Sequence, residues 1–191
     1  MNPLFEAAGE IFEVLDGLKL RACVIGGLAV QRWGEPRHTF DVDLTVATDL
    51  EHDEFVVDAL LKRFEARIPD ARSFALTRRV LLVQASNGVG LDLALGLTSF
   101  EAGTVARATL YEFAPNFTFP TCSAEDLLIH KCFAGRARDL DDAASVIARN
   151  RAKLDVLTIR HWLNLLGQAV DDPEILQRFE RLWRKQAPDL R

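Results

Sequence analysis

The chain has 191 residues, 49% of them hydrophobic and 27% charged, with a formal net charge of −5. That length and apolar content suit one globular domain, or a small α/β domain with a helical extension, and exclude a disordered chain. No apolar stretch reaches the ~18 residues of a membrane span, the first residues lack a basic leader, and Cys23, Cys122 and Cys132 match no zinc or disulfide spacing, so a cytoplasmic protein is expected.

In chain order, Leu4, Ala8, Ile11, Phe12, Leu15 and Leu18 recur at helical spacing and predict a helix over 3–18, with Pro3 in its first turn. Ala22 to Ile25 reads as a short buried strand, broken by Gly26-Gly27. A short helix follows over 28–33 and ends at Gly34-Glu35-Pro36. Val42, Leu44 and Val46 alternate with Asp41, Asp43 and Thr45, the pattern of a half-buried strand. Asp49 is placed to cap a helix over 50–68 with Phe55, Val56, Ala59, Leu60 and Phe64 inward. Val80 to Ala85 and Val89 to Leu95 form a hairpin around Ser86-Asn87-Gly88, because Asn-Gly accepts the positive φ of a tight turn. Segment 105–119 reads as further strand with a loop at Pro115-Asn116. Beyond Pro120 the pattern is helical, with Ser123 as N-cap and helices over 124–137, 139–150, 156–168 and 173–185. The expected class is α+β: a small mixed sheet with flanking helices, then a helical C-terminal segment.

Charge follows the same division. Residues 1–130 hold 11 Lys/Arg against 19 Asp/Glu, and residues 131–191 hold 12 against 9. An acidic part can collect divalent cations, and a mildly basic part can face phosphates.

Asp41 and Asp43 carry the chemistry. Residues i and i+2 of a strand share a face, roughly 7 Å apart at the backbone. Two bare carboxylates leaning together to ~6 Å would repel by roughly 3 kcal/mol at an effective dielectric of ~20. A hard divalent ion, which takes oxygen ligands, would relieve that repulsion and bind substrate phosphates as well. Upstream, Gly26-Gly27 between strand and helix lets a backbone approach a ligand closely, and a helix N-terminus offers N–H groups to an anion. Together the two motifs describe a metal–triphosphate site, with Arg37 and Thr39 between them. Asp92, in Leu91-Asp92-Leu93, either faces solvent or completes a three-carboxylate cluster as general base or metal ligand.

These residues resemble the nucleotidyltransferase superfamily related to polymerase beta. Its pattern is Gly-Gly or Gly-Ser, a short helix, Asp-x-Asp or Asp-x-Glu, and a later lone carboxylate on a strand. Gly26, Gly27, Asp41, Asp43 and Asp92 match in order. Within that superfamily, Arg37-x-Thr39-x-Asp41-x-Asp43, Lys131 and Arg138-Asp139-Leu140-Asp141-Asp142 resemble the AbiEii-type toxin–antitoxin group. The resemblance spans about residues 21–150. It implies a nucleotidyltransferase core over 1–120 with a helical region over 121–191 packed on it. It also implies transfer of a nucleoside monophosphate from a nucleoside triphosphate to an acceptor hydroxyl, with Mg2+ (or Mn2+) as cofactor; RNA, a protein side chain and a small molecule all stay open as the acceptor. As catalytic residues it implies Asp41, Asp43, Asp92 and Lys131, the three aspartates also being metal ligands. Gly26, Gly27, Arg37, Thr39 and Asp139 would bind nucleotide, with Asp139 orienting Lys131 or Arg37, and an antitoxin would be a partner. Arg138 and Asp142, four apart on a helix, are spaced to pair. Two rivals remain: a non-catalytic nucleotide-binding or regulatory module of the same fold, and an aspartyl-phosphate phosphatase reading of Asp41-x-Asp43-x-Thr45.

Overall fold

The computed structural model describes residues 2–96 and 98–186. The chain divides into two compact units, one of residues up to Leu28 plus His38–Cys122, the other of Ala29–Arg37 plus Ser123 onward.

Among the described residues, the first unit is built on a mixed sheet of seven strands in the order β3-β4-β5-β2-β1-β7-β6. Helix α1 (Pro3–Gly17) starts where Asn2 caps the Leu4 N–H at 3.1 Å and buries Phe5, Ala8, Ile11 and Leu15 along one stripe. Strand β1 (Ala22–Val24) is buried throughout. Strand β2 (Asp41–Ala47) buries Val42, Leu44 and Val46, while Asp41 and Asp43 stay half-buried on its other face. β1 runs antiparallel to β2. The hairpin of β4 (Val80–Gln84) and β5 (Gly90–Gly96) closes through Gly88 at φ +79°, as its Asn-Gly turn predicts. A second hairpin, β6 (Thr109–Ala114) and β7 (Phe117–Thr121), turns at Asn116. The expected α+β class with a mixed sheet is the observed one.

Two segments depart from expectation. The helix expected over 50–68 is α3 (Asp53–Leu61) only. The chain then forms the two-residue strand β3 (Glu65–Ala66), which pairs with β4, and helix α4 (Ala71–Arg78). Asp49 accepts the N–H groups of Glu51 and His52 in a turn ahead of the helix. Phe55, expected inward, is 62% exposed, whereas Val57 is buried beside Val56 and Leu60. Helical periodicity runs past the true end because Phe64, in the turn after α3 where its N–H still donates to the Leu60 carbonyl at 2.9 Å, is buried as well. The other departure is α5 (Ser99–Arg107), whose signal was the capping box of Thr98 and Glu101.

The second unit is helical. The helix α2 (Gly26–Trp33) belongs to it from Ala29 onward. It continues with α6 (Ala124–Ala134), α7 (Ala137–Asn150), α8 (Val156–Ala169) and α9 (Glu174–Lys185). Ser123 caps α6 by accepting the Asp126 N–H at 3.0 Å, and Gly135 ends it at φ +65°. Leu127, Leu128, Val146, Ile147, Ile159, Leu163 and Phe179 are fully buried and form its core. Among the described residues no helix is long and apolar enough to cross a membrane. Cys23, Cys122 and Cys132 are buried, and burial pushes the Cys132 thiol up to about 12.

Candidate functional site

The parallel register of β2 and β5 decides where the acids meet. It sets Asp43 directly beside Asp92, and Asp41 beside Gly90. Asp41 and Asp43 share a face by the two-residue period, and neighbours across a ladder share a face too. The three aspartates are half-buried and each offers an oxygen, these oxygens all lying within 4.8 Å of one another. Of the two positions open to Asp92 from sequence, the structure brings it to the other two.

The glycine pair is explained by what it touches. Gly26 has φ +59°, and a Cβ there would overlap the Asp43 carboxylate; one at Gly27 would overlap the Thr39 hydroxyl. The Gly27 N–H donates to Asp43 Oδ2 at 3.2 Å, and Thr39 Oγ1 donates to Asp41 Oδ1 at 3.0 Å. A carboxylate facing the first N–H groups of a helix is favoured by the helix dipole. The close approach expected of Gly26-Gly27 is therefore made, in this structure, to Asp43 and Thr39. Gly26→Ala would add about 1–2 kcal/mol of left-handed strain and push Asp43 aside. We expect Mn2+ affinity to fall by about tenfold or more, the usual cost of disturbing a ligand's support. Wild-type affinity in a Mn2+ titration followed by electron paramagnetic resonance would contradict this.

Burial pushes the Asp92 carboxyl up, the Arg67 guanidinium bonded to it pulls it down, and the Asp41 carboxylate pushes it up again; the balance is upward. A donor set of three carboxylates with no nitrogen or sulfur fits a hard divalent cation such as Mg2+ or Mn2+.

In the second unit, Arg37, Lys131 and Asp139 meet in one ion-paired group. Lys131 Nζ contacts Asp139 at 2.9 Å and Asp142 at 2.8 Å. Arg37 grips Asp142 through Nε and Nη2 at 2.6 and 2.7 Å, and Arg136 pairs with Asp139 at 2.6 Å. Asp142, spaced in sequence to meet Arg138, thus receives Arg37 and Lys131. Asp139, Asp142 and Lys131 are buried, so the two Lys131 pairs escape most solvent screening, whereas Arg136 is 80% exposed.

Burial pushes Asp139 and Asp142 up, but hydrogen bonds and charge from Arg136 and Lys131 on the first, and from Arg37 and Lys131 on the second, hold both below the ordinary carboxylate range. A depressed folded-state value stabilises the fold above the unfolded value of about 3.9, and that contribution is lost as pH falls through the folded values. Thermal scans should show melting temperature falling with acid below about pH 5, and Asp142→Asn should flatten that limb. An unflattened limb would show that Asp142 titrates alike in both states.

Arg67 and Gly90, which adjoin the aspartates, were not singled out by sequence. Arg67 was hidden at the end of the helix expected over 50–68, and Gly90 looked like part of the second hairpin arm.

No family model matches the chain, and no curated protein matches it. Solved structures do resemble it. One is an antigenic nucleotidyltransferase-like protein from Paracoccidioides brasiliensis, at 19% identity and TM-score 0.44 over 87% of each chain. Another is the antibiotic-resistance factor ANT(2'')-Ia, at 14% identity and TM-score 0.47 over 96% of this chain and 92% of that one. A third is the lincomycin-bound lincosamide antibiotic adenylyltransferase LnuA, at 14% identity and TM-score 0.46 over 73% of this chain and 93% of that one.

Proposed function

We propose that this protein transfers a nucleoside monophosphate from a nucleoside triphosphate to an acceptor hydroxyl, with Mg2+ (or Mn2+) as cofactor. The observation that carries the reading is the convergence of Asp41, Asp43 and Asp92 within 4.8 Å of one another beside the Gly26-Gly27 turn. Asp41 and Asp43 would hold the ion, aimed by the Thr39 hydroxyl and the Gly27 N–H. When bound, the ion supplies positive charge to the phosphates and to the charge that develops on them in transfer. Asp92 takes the proton of the acceptor hydroxyl. That oxygen forms a bond to the α-phosphorus as the bond to pyrophosphate breaks, and pyrophosphate leaves with the electron pair.

The motif resemblance alone assigns Arg37, Lys131 and Asp139 to nucleotide binding and transfer, and Asp139, paired with Lys131 at 2.9 Å, is placed to orient it. The finer reading, an AbiEii-type component with an RNA or protein acceptor and an antitoxin partner, rests on the motifs around Arg37 and Asp139 alone. A phosphatase reading of Asp41-x-Asp43-x-Thr45 leaves Asp92 and the Gly26 contact without a part.

The test supplies each α-labelled nucleoside triphosphate with MgCl2 and either total RNA or a protein extract. Label should enter one fraction, only with the metal present. Triphosphate that binds without any label being transferred would favour a regulatory module, and release of labelled phosphate without an acceptor would favour a hydrolase.

A further inference from the structure

We propose that Arg67 is a positioning residue of the candidate metal centre: its guanidinium takes one oxygen of Asp92 and so sets how strongly the third aspartate engages a divalent cation. This rests on the reading of Asp41, Asp43 and Asp92 as a metal centre.

The placement follows from register. The Arg67 N–H donates to the Leu82 carbonyl at 3.1 Å, one step beyond the Ala66–Val83 pair, so Arg67 extends the β3–β4 ladder. Leu82 lies opposite Asp92, and Asp92 opposite Asp43. Residues in such a row share a face. Arg67 therefore starts on the carboxylate face, two strand spacings or roughly 10 Å from the Asp92 backbone, a gap that an arginine and an aspartate side chain span together. Its guanidinium bonds Asp92 Oδ1.

Gly90 keeps the route open. It sits two residues before Asp92 and opposite Asp41, and a Cβ there would overlap Arg67 Nη1. The two side chains are 30% and 29% exposed, so the pair is not a fully solvated one.

Electrostatics give the consequence its sign. A guanidinium and a divalent ion roughly 6 Å apart repel by enough to change affinity about tenfold even at the dielectric of water. Arg67 thus weakens Asp92 as a metal ligand, leaves Asp41 and Asp43 as the principal pair, and reserves Asp92 for the acceptor hydroxyl. A residue that merely propped up the strand would have no reason to oppose metal binding.

The experiment titrates the full chain with MnCl2 alone and reads free Mn2+ by electron paramagnetic resonance. Arg67→Gln should bind Mn2+ about tenfold more tightly than wild type. Arg67→Lys, which keeps the charge, should stay near wild type. Gly90→Ala, which keeps the arginine but obstructs its path, should shift affinity in the same direction as Arg67→Gln by less, and it reads the same contact should Arg67→Gln not fold. Unchanged or weaker binding in Arg67→Gln and Gly90→Ala overturns the role of Arg67. If wild type binds Mn2+ and Asp41→Asn with Asp43→Asn abolishes that binding, the metal-centre reading survives such a result; a wild type that binds none removes both.

Discussion

Replacing Asp41 and Asp43 together by asparagine should abolish nucleotide transfer and leave the chain folded. Both residues sit half-buried on one face of β2 and neither contributes to its apolar core, which Val42, Leu44 and Val46 form on the other face. Asparagine keeps their shape and their capacity to accept from Thr39 and Gly27 while removing two charges. Without the metal the variant should be at least as stable as wild type, because carboxylates whose oxygens lie within 4.8 Å of one another repel by roughly 3 kcal/mol at an effective dielectric of ~20. With the metal the order should reverse: saturating Mn2+ at about 100 times its dissociation constant adds about 2.7 kcal/mol to a chain that binds it and nothing to one that does not. Turnover should fall by about a thousandfold or more, the scale on which lost transition-state electrostatics is felt. Transfer at wild-type levels by the double variant would end the assignment of these aspartates.

Replacing Lys131 by methionine should destabilise the second unit by about 3 kcal/mol, the lower end of what breaking a buried ion pair costs. The lower end is expected because neither carboxylate is wholly abandoned. Asp142 keeps Arg37 and Asp139 keeps Arg136. Lys131 is 5% exposed and touches both acids, so its loss leaves their remaining oxygens buried with less positive charge beside them. Denaturant unfolding measures the effect as a lowered midpoint. If Asp142→Asn added to Lys131→Met recovers part of the loss, the cost lies in uncompensated charge; an unchanged midpoint in Lys131→Met would show that the group contributes nothing to stability.

What sequence revealed divides along a physical line. Features set by neighbours in the chain were legible: the buried stripe of α1, the alternation of β2, the Asn-Gly turn of the β4–β5 hairpin and the Ser123 cap of α6. Features set by distant pairing were not. Nothing local says that β5 runs parallel beside β2, so whether Asp92 joined Asp41 and Asp43 stayed open until the register was known. The Arg37–Asp142 pair joins residues 105 apart in sequence, and Asp142 had looked suited to Arg138. Arg67 was the costliest miss. The apolar spacing of 55–64 extends a helical pattern through the turn and so hides a sheet-edge arginine that reaches Asp92.

The most direct measurement is anomalous diffraction from a crystal soaked with Mn2+ and a non-hydrolysable nucleoside triphosphate. A Mn2+ peak is expected at ligand distance, about 2.0–2.3 Å, from oxygens of both Asp41 and Asp43, with triphosphate oxygens completing its shell. A peak that engages neither aspartate, or triphosphate bound with no ion at these carboxylates, would contradict the metal-centre reading.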